Sequence, residues 1–205
     1  FPIFQRSKEQ RDMRIRDKIK KPQRPVVAYE ILPPREKDGT LNSYAETISS
    51  LLSQTHIDAI NIPEVHDEVG RGERPVSNQE RGEPRKFGML LQDIVGIEAI
   101  VNRVVVHMPL KKQMEWIEET YSQYEIDNLI IVGGESSKQQ YPGPTVNESL
   151  EKISQENRLR KKSILCGGIC IPSRKKESKN LIRKSECGAE FFTTQVLCDS
   201  GNVIK

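Results

Sequence analysis

The sequence predicts an α/β fold built on a parallel sheet, and two observations carry that expectation. Apolar runs rich in β-branched residues recur along the chain, and each is followed by a segment whose apolar residues repeat with helical spacing. The runs are apolar throughout rather than alternating, which is the mark of strands covered on both faces by helices. Two architectures satisfy the pattern: a (β/α)8 TIM barrel, of whose eight units six are legible here, and an open doubly wound parallel sheet.

The first strand is read in VVAYEIL (26–32), buried on both faces and ended by Pro33-Pro34. The helix after it covers about 43–54, with Ala45, Ile48, Leu51 and Leu52 as its buried stripe. IDAINI (57–62) is the second strand. A long polar loop of mixed charge, from Pro63 to Lys86, follows as a binding lid or a disordered segment. Residues 87–100 place Phe87, Leu90, Leu91, Ile94 and Val95 at helical spacing, and NRVVVHM (102–108) is the third strand. Pro109 opens a helix through Met114, Trp116, Ile117 and Tyr121. NLIIVGG (128–134) is the fourth strand, and Thr145 with Glu148 forms a capping box at the start of a helix to about Lys161. SILCGGICI (163–171), a Lys-rich helix over about 175–187, and GAEFFTTQVL (188–197) complete the series.

The chain has 205 residues, 35% hydrophobic and 30% charged, with a net charge of +3. Most of the excess lies in residues 6–24, where nine Lys or Arg stand against three acids, so residues 1–25 read as a basic extension ahead of a domain spanning 26–205. Such an arm suits a solvated helix, nucleic acid or an anionic membrane; no aromatics are interleaved for base stacking, which argues against nucleic acid. No run approaches the ~18 apolar residues of a membrane span, and no signal peptide opens the chain, so no membrane partner is expected and the reading is a cytoplasmic protein. Cys166, Cys170, Cys187 and Cys198 lack CxxC spacing and read as reduced core residues. With His56, His66 and His107 as the only histidines, a multi-histidine metal site is not expected. The opening at Phe1 and the ending SGNVIK read as those of a fragment.

Polar residues collect at the strand ends: Glu30, Pro63-Glu64, His107, Glu135 after its two glycines, Pro172 to Arg174, and Gln195. Either architecture binds ligands at the carboxyl ends of its strands, so these residues should converge on one face. Glu30 is either a structural ion pair, with Arg35 for instance, or a carboxyl in an apolar mouth, a setting that favours the neutral form needed for general acid work. His107 is either a satisfied core histidine or a ligand contact. Tyr141, in YPGP, belongs to a plain turn or packs on a flat ligand. Lys184 is either solvated or part of the site. Gln195, an amide in an apolar strand, needs polar partners that a ligand can supply.

Tyr29-Glu30-Ile31-Leu32-Pro33-Pro34-Arg35, NRVVVHMP, NLIIVGGE and KSECGAEFFTTQ follow one another in an order that resembles methylenetetrahydrofolate reductase, covering almost the whole chain from residue 26. The resemblance favours the barrel, with its seventh and eighth units missing. It implies a flavin-dependent oxidoreductase of one-carbon and methionine metabolism, in which FAD takes hydride from NADH or NADPH and passes it to 5,10-methylenetetrahydrofolate or a related pterin carrier. By resemblance Glu30 is the general acid, Glu135 and Gln195 contact the substrate, and His107, Glu135, Tyr141 and Lys184 contact the cofactor. Gly133 stands where the family has arginine, Glu135 where it has aspartate, and Pro63-Glu64 where it has Thr-Tyr. The alternatives are a flavin-free pterin-dependent reductase and a non-catalytic pterin- or partner-binding subunit. A homo-oligomer is compatible with each.

Overall fold

The structure, a computed structural model, describes residues 14–65, 80–134 and 139–194. Six strands form one parallel sheet in strict chain order: β1 (Ala28–Glu30), β2 (Ala59–Ile62), β3 (Ala99–Val104), β4 (Asn128–Val132), β5 (Leu165–Cys170) and β6 (Phe191–Thr194). The connecting helices are α2 (Leu41–Leu52), α3 (Pro84–Val95), α4 (Leu110–Ser122), α5 (Val146–Arg160) and α6 (Glu177–Glu186), preceded by α1 (Ile15–Lys20). Sequential order excludes the doubly wound alternative, in which the strand order reverses about a switch point. The sheet curls instead into part of a TIM barrel, with α2 to α6 on its outer side.

Alternation along the strands separates two cores. Ile60, Ile62, Val101, Leu129, Ile131 and Cys166 face outward and pack with Ala45, Leu52, Phe87, Leu91, Ile117, Leu150 and Ile153 of the helices. Ala59, Ile100, Ile130 and Leu165 face inward and form a small cluster with Ile15 of α1. Ile15 is 1% exposed, a burial that stabilises by about 1.5–3 kcal/mol. No described helix is long and apolar enough to cross a membrane.

The basic segment, over its described residues, is neither a solvated helix nor a frayed arm. Asp58, Glu98, Asp127 and Glu190 each immediately precede a strand, and together they hold α1 across the amino ends of the sheet. Arg14 bonds Glu98 at 3.0 Å and also meets Asp127; Arg16 and Lys20 meet Glu190 at 2.9 and 2.7 Å. Asp58, buried, takes both Arg24 guanidinium nitrogens at 2.7 and 2.9 Å and the Val27 N–H at 3.0 Å.

Several boundaries differ from expectation. β1 is three residues long and exposed rather than buried on both faces, because it is an edge that pairs only with β2 among the described residues. The helix expected over 87–100 spans Pro84–Val95: Glu83 caps its start through Lys86 N–H at 2.7 Å, and Gly96, in the left-handed region at φ 67°, ends it. β3 therefore begins at Ala99, and Val105–His107 is a 3-10 turn rather than strand. In α2 the buried stripe runs through Ala45, Ser49 and Leu52, while Leu51 is 60% exposed. The capping box is as expected, with the Thr145 N–H donating to the Glu148 carboxylate at 2.7 Å. Residues 66–79 of the long loop, with His66, lie outside the described residues, as does Cys198.

Asp58→Ala leaves Arg24 and the Val27 N–H without their buried acceptor and is expected to lower stability by about 2–4 kcal/mol in urea unfolding at neutral pH. A loss below about 1 kcal/mol would contradict this role for the acidic ring. Burial pushes the Cys166 thiol up to about 12, so at pH 8 a maleimide should label it only after unfolding, well behind the partly exposed Cys187. Equal labelling of both in the native protein would refute that placement.

Candidate functional site at the carboxyl ends of the strands

With α1 across the amino ends, the polar residues of the strand ends stand on the opposite side of the inward-facing cluster, at the carboxyl ends. Alternation puts Asn61 on the same face as Ala59, and Asn102 on the same face as Ile100. Glu30 is in register with Asn61 and bonded to it, Asn61 Nδ2 donating to Glu30 Oε2 at 2.9 Å. The Oδ1 atoms of Asn61 and Asn102 are buried and accept no hydrogen bond from the described residues. Glu30 itself is exposed, so the apolar mouth expected around it is not what the structure shows. Nor is it paired with Arg35, whose guanidinium instead takes Asp38 at 2.7 and 2.9 Å and holds that carboxyl down to about 2.

Glu64, at the end of β2, serves the frame. It pairs with Arg103, and its Oε2 accepts the Val104 N–H at 2.7 Å. Arg103 points outward from β3, donates through Nε to Gln113 Oε1 at 2.8 Å, and lies over the Trp116 ring at 4.2 Å. Arg85 lies 4.6 Å from the same ring and 4.6 Å from Tyr124, and is held by Glu83 and Glu119. Burial pushes the Arg103 guanidinium below its ordinary value against the opposing pull of Glu64. At Arg85 the bonds from Glu83 and Glu119 outweigh burial and raise it.

At the ends of β3 and β4, His107 and Tyr141 meet edge to face with centroids 5.8 Å apart. The YPGP turn is tied back to the 3-10 turn after β3 by the Gly143 N–H donating to Val106 O at 2.8 Å. Gly134 is required because Tyr141 lies directly over it: a Cβ there would come within 2.1 Å of the ring. Lys184 sits on the outer, helical side of β5, where its ammonium donates to the Ile169 carbonyl and approaches Glu177 at 4.0 Å. Desolvation lowers its pKa, opposed by Glu177.

The structure thus brings Glu30 into the mouth, joins His107 to Tyr141, and sets Lys184 behind the sheet. Glu135 and Gln195 lie outside the described residues. The sequence reading leaves out Asn61 and Asn102, although Asn61 is an amide in an otherwise apolar strand, the same signal that marks Gln195; Asn102 is masked by the charge of Arg103 beside it.

No protein-family model and no curated protein matches the sequence. Among solved structures, this chain is similar to a protein from Clostridium thermocellum that binds two copies of 5-methyl-5,6,7,8-tetrahydrofolic acid. The TM-score is 0.69 at 19% identity, over 92% of this chain and 60% of that one. It is also similar to 2,3-dimethylmalate lyase, a PEP mutase/isocitrate lyase superfamily member, with a TM-score of 0.56 at 12% identity over 88% of this chain and 62% of that one. At these identities the likeness is one of fold, and this chain spans about 60% of the length of the structures it matches.

Glu64→Ala leaves the Arg103 guanidinium buried without its carboxylate and is expected to cost about 3–5 kcal/mol in urea unfolding. Replacing the pair together, Glu64→Leu with Arg103→Met, should recover most of that loss. A single variant as stable as the parent would show that the pair does not brace the ends of β2 and β3.

Proposed function

We propose that the carboxyl-end mouth binds a reduced folate through its pterin ring and that Glu30 exchanges a proton with it. The observation that carries the reading is the Glu30–Asn61 pair, a carboxylate held in register at the carboxyl end of a half-barrel whose other end is occupied by α1. The motif resemblance to methylenetetrahydrofolate reductase supports it, as does the folate bound by the Clostridium thermocellum protein of similar fold. Ligand binding at the carboxyl ends of the strands is the general habit of this architecture.

In its fuller form the reading makes the chain a reductase of 5,10-methylenetetrahydrofolate using NADH or NADPH. Glu30 gives a proton to N10 of the five-membered ring, the bond between N10 and the methylene carbon breaks as the N5 lone pair forms the iminium with that carbon, and hydride from the nicotinamide adds to the carbon to leave the 5-methyl form. The exposed setting of Glu30 lets solvent restore its proton between turnovers. The FAD that the resemblance implies finds a poor cradle in the described residues. Lys184, its expected contact, is committed to Ile169 O and Glu177 behind the sheet, and Tyr141 fills the space over Gly134. This disposition favours the flavin-free alternative among reductases.

Titration calorimetry with 5-methyltetrahydrofolate tests the coarser reading: saturable one-site binding is expected, weakened about tenfold or more by Asn61→Ala, which removes the group that orients Glu30. No binding, or equal binding by the variant, contradicts it. Oxidation of NADPH or NADH in the presence of methylenetetrahydrofolate tests the fuller reading, with Glu30→Gln expected to bind folate yet lose turnover. Binding without turnover in the parent protein reduces the function to that of a folate-binding subunit.

A further inference from the structure

Asn61 and Asn102 offer two buried amide carbonyls that the described protein leaves without donors. The orientation at Asn61 is fixed, because its Nδ2 is spent on Glu30, so its Oδ1 must face elsewhere. Asn102 stands between Ile100 and Val104 along β3 and in register with Ile130, neighbours whose side chains carry no donor. It lies two residues beyond Ile100, the register partner of Asn61, and so about 6.5 Å nearer the mouth. Leaving such a carbonyl unsatisfied costs about 1–3 kcal/mol, and a leucine at either position would fill an otherwise apolar interior without that cost. The other two buried groups of this kind outside the mouth, Ser49 Oγ and Asn147 Oδ1, lie on α2 and α5.

A carboxylate and two amide side chains on the same face of neighbouring strands, both amide carbonyls lacking donors among the described residues, form an acceptor-rich group that calls for a ligand edge rich in N–H donors. We propose that Asn61 and Asn102 are specificity-determining residues that recognise the 2-amino-4-oxopyrimidine edge of the pterin, whose ring N–H and exocyclic amine are such donors. This rests on the folate reading and adds to it the part of the molecule that is read. A site built to hydrogen-bond a donor rejects an analogue lacking it, since its own acceptor is then left buried and unpaired.

The test compares 5-methyltetrahydrofolate with its 2-desamino-2-methyl counterpart by titration calorimetry on the parent protein, Asn61→Leu and Asn102→Leu, each checked for native circular dichroism. The parent should prefer the natural ligand by about tenfold or more, and each folded variant should lose most of that preference. The comparison on the parent protein needs no variant to fold. Equal binding of the two ligands by the parent overturns this inference and leaves the folate reading standing. An undiminished preference in both variants likewise moves the recognition to other residues and overturns it. No binding of either ligand by the parent overturns the folate reading itself, and the inference with it.

Discussion

Ile15 and the carboxylates around it decide which end of the half-barrel is covered by α1. The inward-facing cluster of Ala59, Ile100, Ile130 and Leu165 is small, and without Ile15 its amino end would face water. A single apolar side chain supplies only about 1.5–3 kcal/mol, so its position is secured by charge: Asp58, Glu98, Asp127 and Glu190 each take a cation from α1 or the residues flanking it. Most of these pairs are partly exposed and individually weak. Asp58 is the exception, since it is buried and also accepts a backbone N–H. A repeated feature of the strand and helix unit, an acid just before the strand, thereby becomes a collar for a basic helix.

The opposite end is braced from outside. Tyr124, Arg85, Trp116 and Arg103 stack in alternation between α3, α4 and β3, and Glu64 closes the series where β2 ends. Cation and ring attract one another most when water is excluded, which is the condition of Arg103 here. Because Glu64 also accepts the Val104 N–H, the ends of β2 and β3 are held to one another. Asn61 and Asn102 are thus carried on strands whose ends have little freedom, the setting in which an unpaired acceptor keeps its direction until a ligand meets it.

Six strands in order and the Thr145–Glu148 box were legible because each is a local pattern. What failed was non-local. Val26 to Leu32 reads as a covered strand, and nothing within those residues says that β1 is an edge. Val105 and Val106 are as apolar as the strand before them, so only the structure separates the 3-10 turn from β3. Glu64 and Arg103 are 39 residues apart, and their pairing, like the seating of Arg14 on Glu98 and Asp127, depends on the closed fold. Asn61 was within reach of sequence reasoning, since a lone amide in IDAINI needs a partner, but the charge of Glu30 drew attention first.

The central claim is that one end of this half-barrel receives a folate, and amide chemical-shift mapping during titration with 5-methyltetrahydrofolate addresses it most directly. The account predicts saturable shifts at Glu30, Ile31, Asn61, Asn102 and His107, with α1 and the residues before the strands unmoved. Shifts confined to α1 and the amino ends, or to the outer faces of α4 and α5, would contradict it.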